Sequence, residues 1–219
     1  MKKIYIIHTS LVSHVELNAL FAELLPDAKV HNLIDDSLLF DVMQNGGITE
    51  KVISRMCAYV QAAASNGADL IFNQCSSVGE AADIAARLVS VPVLKIDTAM
   101  AEKAVQLGPR IGVVATVKST LLPSCNLIRN AAATAGKTVE IVEFLVDGAL
   151  EVLLKEQNRE KHNAMVLDTV KKAEATCDVV VLAQGSMTVL LPELKDCKKP
   201  VLTSPRLGVE RARNILMGE

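Results

Sequence analysis

The stretch Ala68-Asp-Leu-Ile-Phe-Asn-Gln-Cys75-Ser76-Ser77 decides the fold, because it has a counterpart in Cys177-Asp-Val-Val-Val-Leu-Ala-Gln184-Gly185-Ser186-Met187. Each reads as a short buried strand running out into a polar loop. Laying Asp69 over Asp178, a shift of 109 positions, puts Ser77 on Ser186 and Cys75 on Gln184. One strand end therefore carries a thiol where its equivalent carries an amide.

Two further segments repeat at nearly the same offset. Lys3-Ile-Tyr-Ile-Ile-His-Thr9 lies over Arg110-Ile-Gly-Val-Val-Ala-Thr116 with a shift of 107, and Val91-Pro-Val-Leu94 lies over Lys199-Pro-Val-Leu202 with a shift of 108. Parallel α/β units resemble one another in general, and a single match would mean little. Three matches in order at almost one offset favour a duplicated chain.

Short β-branched runs alternate with longer helical patterns, which predicts parallel βαβ units. Strands are expected near 3–8, 28–34, 69–74 and 92–96, and again near 110–115, 138–143, 178–183 and 200–203, with helices filling the gaps. Ile48, Val52, Met56, Val60 and Ala63 recur at helical spacing behind a Thr49 cap, and Asn158 opens a helix carrying Met165, Val166, Val170 and Ala173. The expected organisation is an α/β fold of two pseudo-symmetric, flavodoxin-like αβα halves with parallel sheets. The first would take residues 1–97 plus 204–219, and the second 98–203. Parallel sheets place binding groups beyond the carboxyl ends of their strands. The loops that matter are then His8-Thr9-Ser10, Asn73 to Ser77, Ala115 to Ser119 and Ala183 to Met187, lining one cleft if the halves face each other.

Composition narrows the function. Hydrophobic residues make up 50 % of the 219 positions, enough for a sizeable core. Aromatics are only 3 %, Trp is absent and the formal net charge is −2, so neither base stacking nor a basic footprint for nucleic acid is on offer. The apolar run Ile4-Tyr5-Ile6-Ile7 is too short for a signal peptide and no later run approaches a membrane span, so a cytoplasmic protein is expected. The five cysteines are scattered, without a C-x-x-C pair or a His at ligand spacing, and no metal site is expected. No glycine-rich phosphate loop is present, so a nucleotide cofactor is not supported.

Cys75 lies between a strand and a helical pattern, where the free N–H groups of a helix start favour a thiolate. A packed core cysteine is the competing reading, against which its neighbours Asn73, Gln74, Ser76 and Ser77 argue. Ser76, Ser77 and Ser186, at or near helix starts, and Thr9, Ser10, Thr116 and Ser119 could bind a carboxylate with exposed backbone amides. Any one of them could equally cap its own helix. His8 is a candidate second acid or base, with a half-buried strand-end residue as the alternative. His14, His31 and His162 read as surface residues. Asp35-Asp36 reads as a solvated turn or a cleft pair.

These residues resemble the aspartate/glutamate/hydantoin racemase superfamily over essentially the whole chain. Asn73-Gln74-Cys75-Ser76-Ser77 is similar to that family's first catalytic-cysteine loop, Ile111-Gly-Val-Val-Ala-Thr116-Val-Lys-Ser119 to its third strand and hydroxyl loop, and Val181-Leu-Ala-Gln184-Gly185-Ser186-Met187 to its second cysteine loop. The resemblance implies an active site in a cleft between the halves, no cofactor and no metal. It implies that Cys75 acts as acid or base, with Thr9, Ser10, Asn73, Ser76, Ser77, Thr116, Ser119, Gln184, Gly185 and Ser186 around the substrate. That substrate would be a small carboxylate or hydantoin-like molecule. The resemblance admits a homodimer or higher homo-oligomer.

The chain departs from the pattern at Gln184, where the second cysteine belongs. An amide neither gains nor loses a proton near neutrality and can only donate and accept hydrogen bonds. Three functions follow as expectations. The first is a racemase or epimerase in which Cys75 serves one face, the other needing His8, water or another group. The second is a single-cysteine decarboxylase or a cis–trans isomerase of the same superfamily, and the third a non-catalytic carboxylate-binding member.

Overall fold

The computed structural model describes residues 1–218, Leu154 by its backbone only. The chain divides into two compact units: Met1–Ile96 together with the segment from Pro205 onward, and Asp97–Ser204.

The first unit runs β1 (Lys3–His8), α1 (His14–Leu24), β2 (Lys29–Ile34), α2 (Ser37–Asn45), α3 (Glu50–Ser65), β3 (Leu70–Asn73), a 3-10 turn (Ser76–Val78), α4 (Gly79–Ala86) and β4 (Val93–Lys95). Its four strands are parallel in the order β2-β1-β3-β4. Side chains alternate between faces with period two, and helices cover both faces, so the inner strands are apolar on each side. Ile4 and Ile6 of β1 and Leu70 and Phe72 of β3 pack with Leu17 and Phe21 of α1. Ile7 and Ile71 turn the other way, towards Val52, Met56, Val60 and Ala63 of α3. The Phe21 and Phe72 rings meet edge to face at 5.2 Å. The last helix, α9 (Ser204–Met217), returns Val209 and Ala212 to this core.

The second unit repeats the plan: α5 (Thr98–Leu107), β5 (Arg110–Ala115), α6 (Lys118–Thr134), β6 (Glu140–Leu145), α7 (Ala149–Leu154), α8 (Arg159–Thr176), β7 (Val179–Leu182), a 3-10 stretch (Gly185–Leu194) and β8 (Val201–Thr203). Its strands are parallel in the order β6-β5-β7-β8. The repeated aspartates do the same work in each unit. Asp69 accepts the Lys3 N–H at 2.7 Å and Asp178 accepts the Arg110 N–H at 3.0 Å, each satisfying the first donor of the neighbouring strand. The caps also form as read: Thr49 Oγ1 accepts the Val52 N–H and Asn158 Oδ1 the Lys161 N–H.

Two elements differ from the sequence expectation. The sixth strand is Glu140–Leu145, two residues later than 138–143. Gly136 at φ 64° ends α6, the Lys137 N–H closes back on the Ala132 carbonyl, and the ladder starts only when the Glu140 N–H reaches the Pro109 carbonyl. The chain after β7 forms a 3-10 stretch rather than an α-helix, with Pro192 inside it. Proline brings no N–H and clashes with the preceding turn of an α-helix.

Candidate functional site

At the carboxyl end of β3 the chain leaves the sheet through Gln74 and Cys75 into the 3-10 turn. The loop is held from several sides. The Gln74 N–H donates to the Ile7 carbonyl, Gln74 Nε2 donates to Ser13 Oγ at 2.5 Å, and Asn73 Nδ2 donates back to the Cys75 carbonyl at 2.9 Å. Asn73 is fully buried, and its Oδ1 has no partner among the described residues.

The Thr9 hydroxyl, the backbone and side chain of Ser77 and the Val78 backbone surround the Cys75 thiol as polar neighbours that favour its ionisation, and the Val78 N–H donates to the Cys75 carbonyl at 3.3 Å. Part of the residue stays open to solvent, but burial of the sulfur outweighs these neighbours and pushes the thiol up, not down. The expectation of a lowered pKa is corrected on that point. Desolvation of an anion in a packed strand end exceeds what its polar neighbours return. Thr9, Ser76 and Ser77 are all buried at this position, while Ser10 is half-buried.

His8 turns to the other face of β1. Its ring is fully buried, with Nε2 2.8 Å from Asn32 Oδ1 and the His14 ring edge-on at 5.7 Å. Asn32 Oδ1 also accepts Asn18 Nδ2 at 3.1 Å, and Asn32 Nδ2 donates to Asn18 Oδ1. An acceptor shared this way assigns the proton to His8 Nε2 and leaves the buried Nδ1 bare of partners among the described residues. Burial, reinforced by the nearby His14, lowers the His8 pKa despite the Asn32 bond, so the imidazole is neutral. Thr9 is thus the residue of this loop that reaches the sulfur. His14, expected at the surface, is half-buried against His8 because α1 opens directly over the end of β1.

The second unit shows the same construction with different chemistry. Gln184 follows β7 as Cys75 follows β3, and its Oε1 accepts both the Thr116 N–H at 2.7 Å and the Thr116 hydroxyl at 3.1 Å. Thr116 is the counterpart of Thr9. One threonine therefore addresses a sulfur in the first unit and an amide oxygen in the second. Ser119 lies in the first turn of α6, with a buried Oγ that has no partner among the described residues. Gly185 is half-buried. Ser186 is exposed within the 3-10 stretch rather than at an α-helix start, a correction that follows from the absence of an α-helix there.

One cluster escaped the sequence reading. Asp35, just past β2, is not a solvated turn. Its Oδ2 accepts Arg55 Nε at 3.0 Å and the Tyr59 hydroxyl at 2.5 Å, with a close contact to Arg55 Nη2, and its Oδ1 accepts the Ser37 hydroxyl at 2.8 Å. Arg55 Nη1 reaches on to Asp41 at 2.5 Å. Asp36 stays exposed. The available signal was the four-residue spacing of Arg55 and Tyr59, which puts both on one face of a helix. Among the described residues no group of His, Cys, Asp and Glu could hold a metal ion, and no helix is long and apolar enough to cross a membrane.

The family model for Asp/Glu/hydantoin racemases matches residues 9–212. The chain belongs to the Asp/Glu/hydantoin racemase family. A crystal structure of a putative Asp/Glu racemase from Yersinia pestis superimposes with a TM-score of 0.77 at 18 % identity, covering 99 % of this chain and 100 % of that one. The allantoin racemase of Klebsiella pneumoniae gives 0.69 at 17 % identity, over 100 % and 89 %. A sulfate-associated arylmalonate decarboxylase carrying a glycine-to-cysteine substitution gives 0.63 at 16 % identity, over 99 % and 94 %. At these identities the likeness is one of fold. Among curated proteins no sequence matches the chain.

Proposed function

We propose that this chain is a cofactor-independent isomerase that moves a proton at the α-carbon of a small carboxylate or hydantoin-like substrate, with Cys75 as the acid–base group. The observation that carries the reading is the Cys75 sulfur at a strand end, with the Thr9 hydroxyl and the polar groups of Ser77 and Val78 around it. As a thiolate it takes the α-proton, becoming a thiol and leaving a carbanion whose charge spreads onto the adjacent carbonyl oxygen. Water gives a proton to the opposite face, which inverts the centre, and the hydroxide left behind takes the proton from the Cys75 thiol and restores the thiolate. The raised thiol pKa makes the thiolate a strong base once formed, matched to a weakly acidic C–H.

A second reading, a single-cysteine lyase, is favoured by Gln184. Its amide is bound to Thr116 and brings no proton carrier to the second strand end. Here a carboxylate leaves as CO2, and the Cys75 thiol gives its proton to the same carbon, becoming a thiolate that water reprotonates. The decarboxylase among the structural neighbours supports keeping this reaction class in view.

The test is incubation with single enantiomers of aspartate and of 5-substituted hydantoins, and with substituted malonates, in D2O. Isomerase chemistry puts deuterium into recovered substrate together with loss of optical rotation. Lyase chemistry labels product alone. Turnover that survives unchanged in both Cys75→Ala and Cys75→Ser removes Cys75 from either mechanism.

A further inference from the structure

Ser13 occupies the N-cap position of α1, where a serine hydroxyl ordinarily accepts a hydrogen bond from an N–H of the first helical turn. Here it does not. No side-chain cap bond forms, and the hydroxyl meets Gln74 Nε2 at 2.5 Å instead. The serine forgoes a bond to its own helix and makes one to the residue that precedes Cys75. Gln74 also reaches back along the chain, because its N–H donates to the Ile7 carbonyl at 3.1 Å. One residue therefore holds the chain on both sides of residues 8–12. Past Thr9 this loop has little else to fix it. Leu11 and Val12 are exposed, and the His14 N–H reaches the Leu11 carbonyl only at 3.4 Å. Thr9, the polar neighbour of the Cys75 thiol in this loop, lies within the held span. Every group named belongs to the first unit.

We propose that Gln74 and Ser13 are positioning residues, a side-chain latch that fixes the loop after β1 and so keeps the Thr9 hydroxyl against the Cys75 sulfur. This goes beyond the reading above and rests on it only for Cys75 being the reacting group. A sulfur in a desolvating strand end depends on each polar neighbour it keeps. A loop free to move would withdraw one of them. The latch does not depend on which way the Gln74 amide is turned, since a hydroxyl both donates and accepts. Because Ser13 makes no cap bond, removing its hydroxyl leaves the bonds of α1 in place and acts on the loop.

The ultraviolet absorbance of the thiolate, followed against pH, tests the latch. Each protein is read as the difference from its Cys75→Ser counterpart, which isolates this one thiol. Ser13→Ala and Gln74→Met should each raise the titration midpoint by about half a unit or more, and Thr9→Val at least as far. Ser13→Thr keeps the hydroxyl and should titrate as the wild type does. The double variant Thr9→Val/Ser13→Ala should titrate with Thr9→Val alone, because the latch acts through Thr9. A midpoint that stays or falls in either latch variant overturns the proposal, a fall meaning that the loop only shields the sulfur from water. So does a Thr9→Val protein that titrates as the wild type does, a Ser13→Thr protein shifted like Ser13→Ala, or a double variant in which the two shifts add. Should one latch variant fail to fold, the other decides. The readout is ionisation and needs no substrate. A Cys75 variant that retained turnover would therefore sink the acid–base reading and leave the latch result standing.

Discussion

Replacing Asp35 by Asn should destabilise the first unit by about 2 kcal/mol at neutral pH. Asp35 is buried enough that desolvation alone would raise its pKa. The hydrogen bonds from Tyr59, Arg55 and Ser37 and the charge of Arg55 more than reverse this, bringing the carboxyl from 3.8 to about 2. A shift of nearly two units corresponds to roughly 2 kcal/mol of preference for the folded, ionised state. The side chain is only 15 % exposed, so solvent screening removes little of it. The sign follows from a depressed folded-state pKa. The stabilisation is fully present above the unfolded-state value near 3.8 and disappears as pH falls through about 2. Arg55 adds no pH dependence, because it is protonated in both states over this range. The chain has two tyrosines and no Trp, and Tyr5 and Tyr59 both lie in the first unit, so tyrosine fluorescence reports on that unit selectively. Urea unfolding of wild type and Asp35→Asn, followed at pH 7, 4 and 2.5, should show a gap that narrows steadily between the last two. A gap under about 0.5 kcal/mol at pH 7, or one of constant size at every pH, refutes the linkage argument. Leu38 and Val42 of α2 share a core cluster with Val78, so the Asp35 clamp on α2 and α3 also supports the turn that follows Cys75.

Cys75 should alkylate slowly with iodoacetamide at neutral pH, the rate still climbing past the pH at which a free thiol levels off, because burial raises its pKa; a plateau near neutrality would contradict this. Gly208→Ala should cost about 1–3 kcal/mol. The added Cβ would stand 2.4 Å from the Ile96 carbonyl oxygen, a backbone atom that cannot swing aside. An unchanged melting temperature, read by the same tyrosine signal, would show that α9 is not seated against β4 as closely as the structure places it.

The duplicated strands were legible because buried parallel strands write themselves as short apolar runs, and the terminal aspartates mark where each begins. All four of the first unit's strands, and the caps at Thr49 and Asn158, fall within a residue of their sequence reading. The sixth strand slipped because Thr138 and Val139 look like strand residues, yet α6 uses the following turn to close its own carbonyls. The 3-10 stretch after β7 was hidden because a loop of that composition reads as helix until Pro192 is weighed against it. The Asp35–Arg55–Tyr59 cluster joins a loop to the middle of a helix twenty residues on, a distance that local pattern does not span.

Sequence alone determined the two α/β halves, the strand ends that carry polar groups, and the replacement of a thiol by Gln184. All of these are written in residue type and order. Tertiary structure decided which way each group works. Packing raised the Cys75 pKa where helix-start reasoning lowered it. A neighbouring strand put Asn32, and the following helix put His14, around His8, which left Thr9 to meet the sulfur. A second threonine, 68 positions from Gln184, set the orientation of its amide. Desolvation and hydrogen-bond direction depend on atoms brought together across the fold, so no segment of sequence holds them.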